Sequence, residues 1–213
     1  MPKSQPSELP SASIRERSIG GKTRSRSEKA HAAIFQAALG LLDEVGYAAL
    51  SIEAISERSG SAKTTIYRWW PSKAAVVLDA YIHTRARQIA VKSTGTLSDD
   101  LERFVAATCR ALRETSAGPA MAALMAEAQN DPKIAQVFRE KWIEGRRSVL
   151  KGILSDGLAR GELSPAIDLE VLADCIYGPI WYRLLNQHGP LKDAFAKTLV
   201  RQVMAGAAPR ASG

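Results

Sequence analysis

Ser51-Ile52-Glu53-Ala54-Ile55-Ser56-Glu57-Arg58-Ser59-Gly60-Ser61-Ala62-Lys63-Thr64-Thr65-Ile66-Tyr67-Arg68-Trp69-Trp70-Pro71-Ser72-Lys73 is the stretch on which the fold turns. Its punctuation predicts two short helices joined by a tight turn. Ser51 is an N-cap ahead of Ile52 and Ile55, and Gly60 in Ser59-Gly60-Ser61 suits a backbone that must take a positive φ. A second short helix is expected over about Ala62 to Trp69; Pro71 stops it, and Ser72 caps the next. Ile52, Ile55 and Ile66 fall on one side, where they can meet Ile34 and Leu41, which leaves Lys63, Thr64, Tyr67 and Arg68 outside.

Working outward, nearly every segment carries the 3.6-residue period and none shows sustained alternation, which predicts an all-α protein. Upstream, Ser25-x-x-Glu28 has the form of a capping box, and Ala30, Ile34, Ala37, Leu41 and Val45 then share a face until Gly46. Downstream, Ser72 opens a long helix expected to reach about Val91, followed by a polar linker over 92–98. Ser98-Asp99-Asp100 reads as a cap with two acids for a helix bearing Leu101, Phe104, Val105, Cys109 and Leu112. Gly118-Pro119 opens a small apolar helix, and Asp131-Pro132 opens a long one through Phe138, Trp142, Val149 and Leu158 to Gly161. Asp168 caps a helix to about His188, and Pro190 begins the last, with Phe195, Leu199 and Val203 on its apolar face. Gly178-Pro179 within a helix costs one backbone bond and permits close approach of another helix.

The 213 residues are 46% hydrophobic and 24% charged, an ordinary balance for a globular chain, with a net charge of +7. The excess is unevenly placed. In residues 1–30, seven cations oppose three anions for a net +4, and Ser and Pro are frequent there, so residues 1–26 read as a disordered basic arm or an inert solvated tail. Residues 31–73 are neutral overall, with Arg58, Lys63, Arg68 and Lys73 against Asp43, Glu44, Glu53 and Glu57. Any attraction of that segment to a polyanion has to come from placement rather than total charge.

No segment has the unbroken apolar length of a membrane span and no secretory signal is visible, so the expected location is the cytoplasm. Cys109 and Cys175 match no metal or redox spacing and lie among apolar residues, where reduced core thiols are expected. His31, His83 and His188 are scattered, and the chain contains no HExxH, no GxSxG and no glycine-rich phosphate loop. The expectation is a protein that is not an enzyme and has neither metal nor cofactor.

A helix-turn-helix holds its second helix proud of the surface, and lysine, threonine and tyrosine are suitable there for phosphates and major-groove base edges. Residues 27 to about 81, above all Thr65-Ile66-Tyr67-Arg68-Trp69-Trp70-Pro71-Ser72-Lys73, resemble the DNA-binding domain of the TetR family of bacterial regulators. Ala126-Glu127-Ala128-Gln129, Asp131-Pro132, Arg160-Gly161-Glu162-Leu163 and Gly178-Pro179-Ile180-Trp181-Tyr182-Arg183-Leu184-Leu185 resemble the C-terminal domain of one subgroup. The resemblance implies a helix-turn-helix domain over 27–73 and a helical effector-binding and dimerisation domain over 74–208. It also implies DNA contacts from Ser51, Lys63, Thr64, Thr65, Tyr67, Arg68, Trp69 and Lys73, with Tyr67 and Lys73 on phosphates. Ser56, Ser61 and Ala62 depart from the family's usual alanine, valine and serine, and Trp69 stands where a basic residue or histidine is common. For Trp70, core packing is the favoured role.

The partners expected are double-stranded operator DNA, a second copy of the chain, and an apolar or amphipathic small molecule that releases a repressor from its operator. Met121, Met125, Phe138, Trp142, Tyr177 and Trp181 are the candidate effector-pocket residues, although such side chains at helical spacing are equally ordinary core. The last two helices, about Asp168–His188 and Pro190–Met204, are the candidates for the dimer contact. A regulator without an effector and a helical interaction protein that never meets DNA are the competing readings. The run from Thr65 to Lys73 speaks against the second of these.

Overall fold

The computed structural model describes the backbone of residues 17–85 and 93–209 and the side chains of 27–84 and 93–209. Among the described residues the structure is helical throughout: α1 (Arg17–Ala49), α2 (Ile52–Ser59), α3 (Lys63–Trp69), α4 (Lys73–Arg85), α5 (Leu97–Glu114), α6 (Ala117–Ala128), α7 (Pro132–Phe138), a π-helical turn (Arg139–Ile143), α8 (Glu144–Ala159), α9 (Leu169–Asn186) and α10 (Asp193–Ala207).

The expected punctuation holds from Gly46 to Ser72. The Ser51 side chain accepts from the Ala54 amide at 3.1 Å and so satisfies a donor that the first turn of α2 leaves open. Gly60 ends α2 at φ 65° and Gly46 breaks the end of α1 at φ 74°, conformations that side chains rarely adopt. Ser72 Oγ accepts from Ala75 at 3.2 Å at the start of α4. Ile34, Leu41, Ile52, Ile55, Ile66 and Trp70 are all buried, and α1 packs on both α2 and α4. α3 meets the rest of the unit chiefly through Ile66, its one buried residue, so the remainder of that helix stays on the surface.

Several expectations need correction. α1 begins at Arg17, so Ser25 and Glu28 lie inside it rather than at its cap; residues 1–16 of the basic arm lie outside the described residues. α4 is described only to Arg85, and its expected continuation to Val91 likewise lies outside. The cap of α5 is Thr96, whose hydroxyl accepts from Asp99, and Ser98 sits within the first turn. The expected single helix from Asp131 to Leu158 is α7 and α8 joined by the π-helical turn. The final helix starts at Asp193, three residues beyond Pro190, because Lys192 is still extended. Cys109 is buried as expected, and burial pushes its thiol up to about 11, but Cys175 is exposed.

The C-terminal domain is built around α5, which packs on α6, α8, α9 and most extensively on α10. Leu97, Leu101, Phe104, Val105, Cys109 and Leu112 line its buried face. Burying a side chain such as Phe104 contributes roughly 2–3 kcal/mol. The loop before α5 is pinned by Asp100, which accepts from the Thr94 amide, the Thr94 hydroxyl and the Ser93 hydroxyl at 2.6, 2.9 and 3.0 Å. Burial opposes that charge, yet these bonds and nearby Arg160 hold the Asp100 carboxyl below its ordinary pKa.

Candidate nucleic-acid interface and effector cavity

The sequence predicts a set of side chains on the outward face of α3, and the structure leaves most of it there. Lys63, Thr64, Tyr67 and Arg68 are exposed, Tyr67 by 52%, while Thr65 and Trp69 are half-buried. Lys63 pairs with Glu53 at 2.9 Å with both side chains more than half exposed, a contact weak enough for the ammonium to exchange Glu53 for another anion. Glu53 is correspondingly held below its ordinary pKa, chiefly by the hydrogen bond from Lys63. Arg58 is engaged elsewhere, forking onto both oxygens of Glu44 at 2.7 Å and tying α2 to α1.

Two members of the predicted set are turned inward. The Ser51 hydroxyl is taken up by its cap. Lys73 donates to the carbonyls of Tyr47 and Leu50, each at 3.2 Å, and its ammonium lies 4.6 Å from the centre of the Tyr47 ring. It therefore closes the carbonyl end of α1, where a cation suits the helix dipole.

Trp69 and Trp70 divide the work of sealing the unit. Trp70 is buried in the core, as the favoured reading had it, with His31 and Phe35 against its ring at 4.9 and 5.4 Å. Trp69 lies against His31 at 3.9 Å with the rings tilted 59° apart, and carries the Arg68 guanidinium over its ring at 5.2 Å. Burial among these rings pushes the His31 imidazole below its ordinary pKa, with Asp79 opposing and His83 assisting.

Sequence reasoning missed the junction between the two domains. The indole nitrogen of Trp70 donates to one oxygen of Asp79 at 2.7 Å, and Lys141, on the π-helical turn, donates to the other at 2.6 Å. Asp79 thus joins the end of α3 to a C-terminal element through α4. A second connection runs between α1 and α6, where Tyr47 donates to Glu127 and Ser116 donates to Asp43. Burial, and then the Glu127 carboxylate, drives the Tyr47 hydroxyl pKa well up. Asp79, Glu127 and Lys141 look like solvated charges in a sequence, and only their long-range partners reveal the role.

In the C-terminal domain, Met125, Trp142, Tyr177 and Trp181 of the predicted pocket set line a half-open cavity of about 360 Å³ with Ile143, Arg147, Asp174 and Gly178. Met121 and Phe138 do not line it: they are buried core, and Phe138 backs the wall through an edge contact with Trp181 at 6.4 Å. Trp142 and Ile143 lie on the π-helical turn, an irregularity often found at functional sites. The Tyr177 hydroxyl donates to the Arg146 carbonyl at 3.1 Å, and burial pushes its pKa up to about 12. A separate apolar groove of about 450 Å³ runs between α9 and α10, lined by Ile167, Val171, Leu172, Cys175 and Val203. Val171, Tyr182 and Leu185 on α9 are exposed large apolar side chains. Among the described residues no helix is long and apolar enough to cross a membrane.

Known proteins share this arrangement. Residues 34–80 match the family described as "Bacterial regulatory proteins, tetR family", and residues 91–203 match "Tetracyclin repressor-like, C-terminal domain". A transcriptional regulator of Bacillus subtilis, YdeS, is 37% identical over 183 residues, covering 86% of this chain and 92% of the relative. The DNA-binding transcriptional repressor TetR of Mycobacteroides abscessus is 30% identical over 185 residues, covering 84% and 94%. The crystal structure of the TetR family transcription regulator SCO0332 superposes with a TM-score of 0.76 at 32% identity, covering 85% of this chain and all of that one. With both domain types matched in order and the helix-turn-helix formed as described, this chain belongs to the TetR family of helix-turn-helix transcriptional regulators, whose members bind operator DNA as dimers.

Proposed function

We propose that the chain is a cytoplasmic repressor, without enzymatic activity, that a small molecule releases from its operator. The observation that carries this reading is the junction at Asp79. Trp142 lines the cavity, and the residue before it, Lys141, holds the carboxylate that also holds Trp70 at the end of the recognition helix α3. A ligand that displaces Trp142 must strain the π-helical turn and, through Lys141 and Asp79, the seat of α3. The Tyr47–Glu127 contact gives a second route from α6 to the DNA-binding unit. A change of a few ångströms at α3 matters because paired recognition helices must meet successive major-groove faces about 34–36 Å apart, or a multiple of that spacing.

In this reading Lys63, Thr64, Thr65, Tyr67 and Arg68 face the DNA, and the basic arm adds phosphate contacts. Trp69 supports Arg68 from behind, while Ser51 and Lys73 hold the corner on which α3 rests. A second copy covers the α9 and α10 face, whose exposed Val171, Tyr182 and Leu185 and apolar groove would otherwise remain in water.

The test is operator affinity by fluorescence anisotropy across a library of apolar and amphipathic compounds, with wild-type protein and Trp142→Ala. Compounds that weaken wild-type binding should lose effect on the variant while its ligand-free DNA affinity is retained. If no compound alters operator affinity, the effector half of the proposal is overturned and the DNA-binding half stands.

A further inference from the structure

One face of α9 is left open by its own chain and is symmetric about Gly178. Val171, Asp174 and Cys175 lie seven, four and three residues before that glycine, and Trp181, Tyr182 and Leu185 lie three, four and seven after it. These offsets put all seven on one side of a helix. All are exposed except Trp181, which is half-buried, whereas Leu172, Ala173, Ile176 and Ile180 on the other side are in the core.

Nothing within the chain requires a glycine at the centre of that face. The φ of Gly178 is not in the left-handed region, and a Cβ added there would meet nothing within 4 Å. Glycine weakens a helix interior and Pro179 beside it removes a backbone donor, so this centre is costly to α9 on its own. A bare position there leaves room for a second helix to approach closely.

The same stripe borders both hollows of the C-terminal domain. Val171 and Cys175 line the groove towards α10, and Asp174, Gly178 and Trp181 line the half-open cavity beside Trp142. Asp174 and Gly178 are exposed, so they lie at the open side of that cavity. Arg147 holds one oxygen of Asp174, and the other has no hydrogen-bond partner among the described residues.

We propose that the second copy of the chain closes the effector cavity: the two-fold axis crosses α9 at Gly178, and Tyr182 of the partner subunit lies over Asp174 at the cavity mouth. Members of the family act as dimers, so a second copy is the occupant that this face awaits. A two-fold interface is self-complementary, and with antiparallel helices each residue before the axis meets the one equally far beyond it. Val171 then meets the partner's Leu185, Cys175 the partner's Trp181, Asp174 the partner's Tyr182 and, at the edge, Glu170 the partner's Asn186. Apolar groups face apolar ones, and each carboxylate faces a neutral donor. The parallel alternative sets Glu170 against Glu170 and Asp174 against Asp174, a repulsion that selects the antiparallel register. The inference rests on the cavity being the effector site and on dimerisation through α9, and adds that each site is shared between two subunits. Effector binding and dimerisation then strengthen each other by the same factor.

Cross-linking tests the register with exposed positions only, in a Cys175→Ser background where Cys109 is buried. Val171→Cys and Leu185→Cys in one chain should together give covalent dimers with a short bismaleimide. Either alone should not, because the two copies of one position are then about 21 Å apart along the helices. Dimers from the single substitutions, or none from the double variant, would overturn the axis at Gly178 and leave an effector cavity within one chain.

The shared site is tested with the neutral fluorophore N-phenyl-1-naphthylamine, titrated into wild type, Tyr182→Ala, Trp142→Ala and the mixed dimer of the two variants isolated through two affinity tags. Tyr182→Ala should weaken binding about two- to tenfold, the range of a lost aromatic contact, and Trp142→Ala at least as much. In the mixed dimer, the Tyr182→Ala subunit keeps its own Trp142 and receives Tyr182 of the partner subunit, so one site per dimer should regain wild-type affinity. No recovery would overturn the shared site and leave the cavity as the effector site. Circular dichroism checks folding, and Met125→Ala replaces Trp142→Ala if that variant is misfolded. A probe that fails to bind the wild-type dimer, or binds every variant alike, removes the cavity as the effector site and the proposal with it.

Discussion

The DNA-binding unit and the candidate effector cavity are built in opposite ways. Residues 51–73 place a cap, two turns, an exposed face and a proline stop within one continuous stretch, so each decision is local. The cavity draws Met125 from α6, Trp142 and Ile143 from the π-helical turn, and Tyr177, Gly178 and Trp181 from α9, so no short segment contains it. A local device tolerates change elsewhere in the chain but not within itself; an assembled one can vary residue by residue while the same DNA-binding unit is kept. The junction at Asp79 is where they meet, and substitutions there and on either side should show how independent the two regions are.

The largest effect is expected from Trp70→Ala. It removes a buried ring from the core of the small domain and the indole donor to Asp79, a loss of about 3–5 kcal/mol for a core tryptophan. Differential scanning calorimetry should show the N-terminal unit melting first while the C-terminal helices hold; a single unchanged transition would break the comparison by making the two regions one cooperative body. Next comes Lys73→Ala, which leaves the Tyr47 and Leu50 carbonyls without their donor and should cost about 1.5–3 kcal/mol of stability. DNA titrations should then show all sequences weakened by a similar factor. A change of sequence preference instead would place Lys73 at the bases.

Ser51→Ala should cost about 1 kcal/mol, the usual value of a lost N-cap, confined to α2 and visible as faster amide exchange there. The smallest effect is that of pH on His31. Its folded pKa is depressed, so the unfolded chain binds the proton more readily, and the stability it contributes is present above about 6.5 and lost as pH falls through the lower folded value. Thermal melts between pH 7 and 5 should show the N-terminal transition moving down, and His31→Gln should flatten that dependence. A transition that moves equally in both proteins assigns the effect to other groups.

The same contrast explains what could be read in advance. Caps and turns at Ser51, Gly60, Ser72, Asp131 and Asp168 were legible because the side chain or the φ that each supplies acts within three residues. Ser98 reads as the cap of α5 from sequence, but the cap is Thr96, the last residue of the loop that Asp100 pins through Ser93 and Thr94. The π-helical turn has no glycine or proline to announce it. Cys175 follows the apolar period of α9 but is exposed in the open groove between α9 and α10, so periodicity alone reads it as core. For the cavity, residue type and period singled out Met125, Trp142, Tyr177 and Trp181, yet could not separate them from Met121 and Phe138, which differ only in what lies opposite. Asp79 and Glu127 were invisible because their partners are distant in the chain.

The central claim is that α3 reads DNA from a two-fold pair. Selection of bound sequences from random double-stranded DNA, carried out with wild-type protein, Thr64→Ala and Tyr67→Phe, tests it most directly. The account predicts an inverted repeat for the wild type, altered base preference at matching positions of both halves for Thr64→Ala, and the same sequence bound more weakly for Tyr67→Phe. An enriched site without two-fold symmetry, or one that neither substitution changes, would contradict it.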